Sequence, residues 1–314
     1  NNYGLFATAH CKNIDIKNCT FKNYCGRWHL VEINSSQNVK MTNCDITDYN
    51  YNLDSTDMFC TEALQIDFAG NQGNYPFTCN LDNTGCQNIT FESCNFERIK
   101  TSWTGAVGSH TITADYMPRN VTFTRCTFTD VDNCIYAPDF KNLVCDTCTA
   151  KNVASFVIMH PSSNQNGTSC KIDNCEYDGW GRSKTISYMN NTAEGRFFFQ
   201  LGAEYELSAS KITNNTVNNA YSHAIGISPN CATIMGNSVK FSGKHGIYLY
   251  GGSQTIITGN SAVGNGTLSD YTGRDIYVSC GALGYVKRSN ISNNSAYVYT
   301  SGETFEGTRI QDNL

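Results

Sequence analysis

The sequence predicts an all-β chain: a right-handed parallel β-helix of about ten coils, with internal Cys and Asn ladders, running as one domain from residue 1 to residue 314. Three observations carry this. A six-residue phrase returns ten times at short intervals. Each unit holds short alternating runs of β-branched and aromatic residues split by Gly, Asn and Ser, with no long stretch at helical spacing. One position of the phrase is always Cys or Asn, residues that stack as ladders when coils lie on one another. A short period interrupted by inserts is the mark of a solenoid, whose coils bury their apolar faces only by stacking.

The first copies run Ile16 to Phe21, Met41 to Ile46, Phe91 to Phe96, Phe123 to Phe128, Cys145 to Ala150 and Ile172 to Tyr177. Their register residues are Cys19, Cys44, Cys94, Cys126, Cys148 and Cys175. Ile212 to Val217, Ile234 to Val239, Ile257 to Ala262 and Ile291 to Ala296 keep the frame with Asn215, Asn237, Asn260 and Asn294. The shortest interval, Cys126 to Cys148, is 148 − 126 = 22 residues, so longer intervals carry inserts. Two long ones are expected at Asp45 to Thr61 and Phe68 to Gly85, where they would wall a neighbouring face as binding loops do.

Sixteen Cys would ordinarily suggest disulfides. Here six are ladder positions, predicted to be buried free thiols. Cys11, Cys86, Cys170 and Cys231 form a second set just before the second strand of a coil. Cys60 and Cys79 bracket an insert and are the best disulfide candidates. The lone Cys145–Cys148 CxxC is explained by the ladder, so zinc is not expected. So many retained thiols fit a reducing or anaerobic setting.

The net charge is −5, with no basic run, which argues against nucleic acid as a partner. No dinucleotide or Walker motif occurs, so no cofactor is expected. No run of 18 apolar residues suggests a membrane span, and no signal peptide opens the chain. Since Leu5 to Ala9 already reads as a coil, a terminal cap is expected to be missing or to come from another segment or a second subunit.

The strand ahead of each phrase shows where polar groups gather. Its frames begin Leu5 to Ala9, Leu30 to Asn34, Ala63 to Asp67, Ala106 to His110, Cys134 to Pro138 and Phe156 to His160, and continue to Asp275 to Ser279. Second and fourth positions are mostly apolar and face the core, while third and fifth face outward. Coils two to six thereby bring Glu32, Asn34, Gln65, Asp67, His110, Tyr136 and His160 onto one face, with Glu62 one residue before its frame and Asp139 one beyond. With strands about 4.8 Å apart and same-face residues about 6.6 Å apart, Glu32 and Asp67 are diagonal neighbours about 8 Å apart at Cβ. Side chains can bring that gap into the range of paired glycosidase carboxylates, about 5 to 5.5 Å for retention and about 6.5 to 9.5 Å for inversion. Trp28 and Trp103 stand at neighbouring strand entrances, where they could stack on sugar or pack in a turn. The candidate site therefore spans residues 28–160.

The stacking pattern resembles the pectin-lyase-like superfamily of right-handed β-helices. More narrowly, the first 160 residues resemble a group of bacterial surface-associated β-helix proteins predicted to hydrolyse glycans. The resemblance rests on His29 to Glu32, on Glu62-Ala63-Leu64-Gln65-Ile66-Asp67 and on Gly108-Ser109-His110. It implies Glu32, Glu62, Gln65, Asp67 and His110 as the residues to test. The paired aspartates and Gly-His-Gly of polygalacturonases are missing, which speaks against that activity. The combined expectation is a glycoside hydrolase, secreted or on the surface of an anaerobic bacterium. Its catalytic carboxylates would be Asp67 and Glu32, with Asp139 in reserve. A polysaccharide lyase ranks lower because the outward columns lack Lys and Arg; a non-catalytic glycan-binding module is the third reading.

Overall fold

The computed structural model describes residues 5–26, 29–51, 62–69, 84–101, 104–109, 116–137, 140–159, 169–179, 187–188, 191–192, 199–201, 207–281 and 283–314. Among them there is no α-helix. Three parallel sheets run along the chain, the first two to its last strands and the third as far as Ser261–Val263, and up to that point the coils contribute a strand to each in turn. Parallel strands joined by crossovers wind right-handed, because twisted strands pack back onto their sheet only that way.

The first sheet orders eleven strands strictly by coil, from Phe6–Ala9, Val31–Asn34 and Leu64–Asp67 to Ile276–Ser279 and Val298–Ser301. Its register matches the sequence frames: Val31 pairs with Leu64, Leu64 with Val107, Val107 with Ile135, and Ile135 with Val157. All five are fully buried. In the other sheets Phe91 stacks on Phe123 and Phe96 on Phe128, each at 4.7 Å between ring centroids. The core is thus a set of one-residue columns parallel to the axis.

The ladder has a hydrogen-bonding logic. Asn215, Asn237, Asn260 and Asn294 donate Nδ2 to the carbonyls of Ile172, Ile212, Ile234 and Ile257 in the preceding coil. The thiols of Cys44, Cys94, Cys126 and Cys148 reach the equivalent carbonyls of Ile16, Met41, Phe91 and Phe123 at 3.4 to 3.6 Å. Asn313 continues the column beyond the ten predicted copies. The residue before each ladder position turns left-handed, with φ of 54° at Asn18, 52° at Asn43 and 56° at Asn214. Asn tolerates that region better than most side chains, which explains the Asn-rich phrase. A second Asn stack runs outside, linking Asn13, Asn38, Asn88, Asn120 and Asn142 by side-chain bonds of 2.9 Å.

Three expectations change here. Five ladder cysteines are buried and free, but Cys19 is only partly buried. The second cysteine set is not one column. Cys11 and Cys86 share a position with Ser36 and Pro118, whereas Cys170 pairs one step into the core beside Leu143. Cys231 is exposed, at a left-handed residue with φ of 66°. The insert expected from Asp45 starts later, because Asp45–Tyr51 is a third-sheet strand between Thr20–Gly26 and Asn95–Lys100. Cys60 and Cys79 lie outside the described residues.

Candidate functional site

The site is built from outward positions of the first sheet. Glu32 lies in register with Gln65, and Asn34 with Asp67, so Glu32 and Asp67 are the diagonal pair that the frames predict. Gln65 continues to Gly108, and Gly108 to Tyr136. The sequence alternates in these strands because Val31, Ile33, Leu64 and Ile66 must face the core, which turns the residues between them outward.

Hydrogen bonds fix the two carboxylates differently. Asn34 Nδ2 donates to Glu32 Oε2 at 3.2 Å. Asp67 receives Gln65 Nε2 on Oδ2 at 3.1 Å and the Phe68 backbone N–H on Oδ1 at 2.9 Å. Two N–H donors on two oxygens make the surroundings of a charged carboxylate. Both side chains are partly exposed, whereas Asn34 is only 3% exposed and forms the floor between them.

Glu62 behaves otherwise. Its side chain is fully buried and lies over Gly108, where an added Cβ would sit 2.7 Å from Glu62 Cγ and 3.0 Å from Oε1. Glu62 thus fills the gap that Gly108 leaves in the outward column between Gln65 and Tyr136. His29, equally buried, donates from Nδ1 to the Glu62 carbonyl at 2.7 Å and stands 3.8 Å from Oε2. A buried carboxyl group costs free energy unless charge or hydrogen bonds compensate it, and His29 is the ionisable side chain that stands beside this one. The sequence signal for His29 is its equivalence to Glu62, each standing two positions ahead of its first-sheet strand.

The floor behind Asp67 is pinned from the second sheet. Cys86 Sγ donates to the carbonyls of Ile33 and Asp67, and burial pushes this thiol up to about 12. Ser35 Oγ accepts the Ala69 N–H at 2.9 Å, and His10 Nε2 lies 3.0 Å from the Ala69 carbonyl. Phe68 stacks on Tyr116 with ring centroids 3.8 Å apart.

The structure therefore brings together Glu32, Gln65, Asp67, Glu62 and Tyr136. Trp28, Trp103, His110, Asp139 and His160 lie outside the described residues. Among the described residues no group of three or more His, Cys, Asp or Glu is placed to hold a metal ion.

A family model described as a right-handed β-helix region matches residues 113–262. The structure is similar to that of PfbA, a surface adhesin of Streptococcus pneumoniae, at 12% identity and a TM-score of 0.52, covering 98% of this chain and 71% of that one. It is also similar to a mannuronic-acid-specific family 6 polysaccharide lyase from human gut microbiota, at 11% identity and a TM-score of 0.52, covering 98% of this chain and 80% of that one. At such identities the likeness shows the fold. No curated protein matches the sequence.

Proposed function

We propose that the protein acts on a polysaccharide laid across the outward face of the first sheet, and that it is a glycoside hydrolase using Glu32 and Asp67. The observation that carries this reading is the diagonal carboxylate pair, held in register by paired strands with one member in a setting for the charged form. Glycoside hydrolysis needs one carboxylic acid to protonate the leaving oxygen as the C–O bond breaks, and one carboxylate to attack or to activate water. Glu32 is assigned the first role and Asp67 the second. Gln65 and Tyr136 lie on the same face to bond sugar hydroxyls, with the buried Glu62 between them. A secreted or cell-surface setting suits such a substrate.

A second reading, polysaccharide lyase, draws support from the lyase that shares this fold over 98% of the chain. Elimination leaves an unsaturated uronate and consumes no water, whereas hydrolysis leaves a saturated product. The deciding experiment incubates the full chain with neutral and acidic oligosaccharides and reads the products by NMR. New reducing ends of defined anomeric form together with saturated non-reducing ends support the hydrolase, and 4,5-unsaturated non-reducing ends would replace it with the lyase. Binding without cleavage would leave a glycan-binding module, the role nearest the adhesin. Glu32→Gln and Asp67→Asn should each lower hydrolysis by about a thousandfold or more while preserving sugar binding.

A further inference from the structure

Six strands along the first sheet from Leu64–Asp67 lies a second crowded face, about 29 Å away at about 4.8 Å per strand. Tyr248, Tyr277 and Tyr299 follow one another in its outward column. The Tyr248 and Tyr277 rings stack at 5.5 Å between centroids. Ahead of these strands His223 and His245 stack at 4.9 Å, with His223 4.8 Å from Tyr248 and His245 4.5 Å from Tyr277. The insert between Ser261–Val263 and Ile276–Ser279 folds back over them and places Tyr271 Oη 2.9 Å from His245 Nε2.

This cluster is organised beyond what stacking of coils requires. Both imidazoles accept a backbone N–H at Nδ1, His223 from His245 at 3.1 Å and His245 from Arg274 at 2.9 Å. A neutral ring accepting at Nδ1 carries its proton on Nε2, so His245 donates to Tyr271 Oη and directs the phenol's own proton to a further acceptor. Burial lowers His223 to about 2 and His245 to about 4, helped by the nearby cations, so both rings are neutral in this arrangement. Lys244 Nζ lies 5.0 Å from the Tyr271 ring centroid and Arg274 Cζ 4.0 Å from that of Tyr299. Among the described residues neither cation makes an ion pair, on a chain whose net charge is −5. One coil before Tyr248 the corresponding outward position is Gly226, so the tyrosine run begins at Tyr248.

We propose that this face is a second saccharide-binding site, selective for a glycan that carries carboxylates, such as a chain of hexuronate units. The tyrosine rings offer surfaces for the C–H faces of the sugar, the phenols bond its hydroxyls, and Lys244 and Arg274 receive the carboxylates. The inference does not depend on catalysis at Glu32 and Asp67. It differs from a purely structural role, in which Lys244 and Arg274 would serve only the Tyr271 and Tyr299 rings beneath them, in requiring those cations to bind carboxylate.

The test is calorimetric titration of the full chain with oligomers of mannuronate and of galacturonate, with a neutral cello-oligosaccharide and with poly-glutamate. Imidazole NMR spectra of the same mixtures read the site directly. A uronate oligomer is expected to bind, to shift the ring signals of His223 and His245, and to lose about tenfold or more in affinity in the Lys244→Gln, Arg274→Gln double variant. Both side chains are partly exposed, and circular dichroism checks that this variant folds. Glu32→Gln should bind unchanged at this face even if it abolishes hydrolysis. The proposal is overturned if neither uronate binds, if cello-oligosaccharide or poly-glutamate binds equally well, or if the double variant keeps full affinity.

Discussion

Asn237 shows what a single ladder residue does. Its Oδ1 accepts both the backbone and the side-chain N–H of Asn215, and its Nδ2 donates to the Ile212 carbonyl and to Asn260 Oδ1. Asn237→Ala would strand buried donors and a buried carbonyl at once, at about 1 to 3 kcal/mol for each group left unsatisfied. A loss of roughly 3 to 5 kcal/mol is therefore expected in urea unfolding. Cys126→Ala removes one sulfur and a weak donor, and should cost roughly 1 to 2 kcal/mol. Equal costs for the two would contradict the view that the amide ladder is the stronger half. Gly108 makes the opposite point, since the side chain it lacks is what admits Glu62. Gly108→Ala should displace the buried carboxyl and lower glycan turnover more than Gly226→Ala, a comparison that kinetics on both variants would settle.

Among elements, the insert carrying Tyr271 is held by its own hydrogen bonds. Asn265 Oδ1 accepts the Ser242 N–H, and Asn265 Nδ2 donates to Asp275 Oδ1. The backbone N–H groups of Gly266 and Leu268 reach the carbonyls of Ser242 and Gly243. Asn265→Ala removes the side-chain half of this anchorage. Amide exchange across residues 266–273 should accelerate by about tenfold, and that across Ile247–Tyr250 should not change. Uniform acceleration through both segments would mean that the insert is not an independent unit. The strand Leu64–Asp67 has the converse design: its two ends meet inserts, while Ser35, His10 and Cys86 pin the chain just past Asp67.

For the whole molecule, a stack in which each coil touches mainly its neighbours responds locally to stress, as nearest-neighbour solenoids do. His223 and His245 make acid such a stress. Their folded-state values of about 2 and about 4 lie below the ordinary 6.5, so the unfolded chain takes up protons first as pH falls. Their contribution to stability is complete above pH 6.5 and declines as pH drops toward 4. The thermal midpoint should fall through this window in the native chain. In His223→Gln, His245→Gln the slope should flatten, measured as a difference that cancels carboxylates common to both proteins. An unchanged slope would show that these rings do not govern the acid response.

The repeat, the alternation and the Cys-or-Asn position were enough to determine the parallel stack, the inward columns and the register that sets Glu32 diagonal to Asp67. Those features follow from local periodicity, because a parallel stack repeats whatever one coil does. Tertiary structure alone decided that Glu62 enters the vacancy over Gly108 and that Asn34 is covered. It also placed Cys170 and Cys231 in different columns and folded Tyr271 back onto two histidines. Each of these depends on turns and inserts, where the period breaks and a side chain's direction is set by contacts from other coils. The alternation turns Tyr248 and Tyr277 outward, but only the register adds Tyr299 to their column, and their histidine and cation partners sit ahead of the strands, where no alternation rule points.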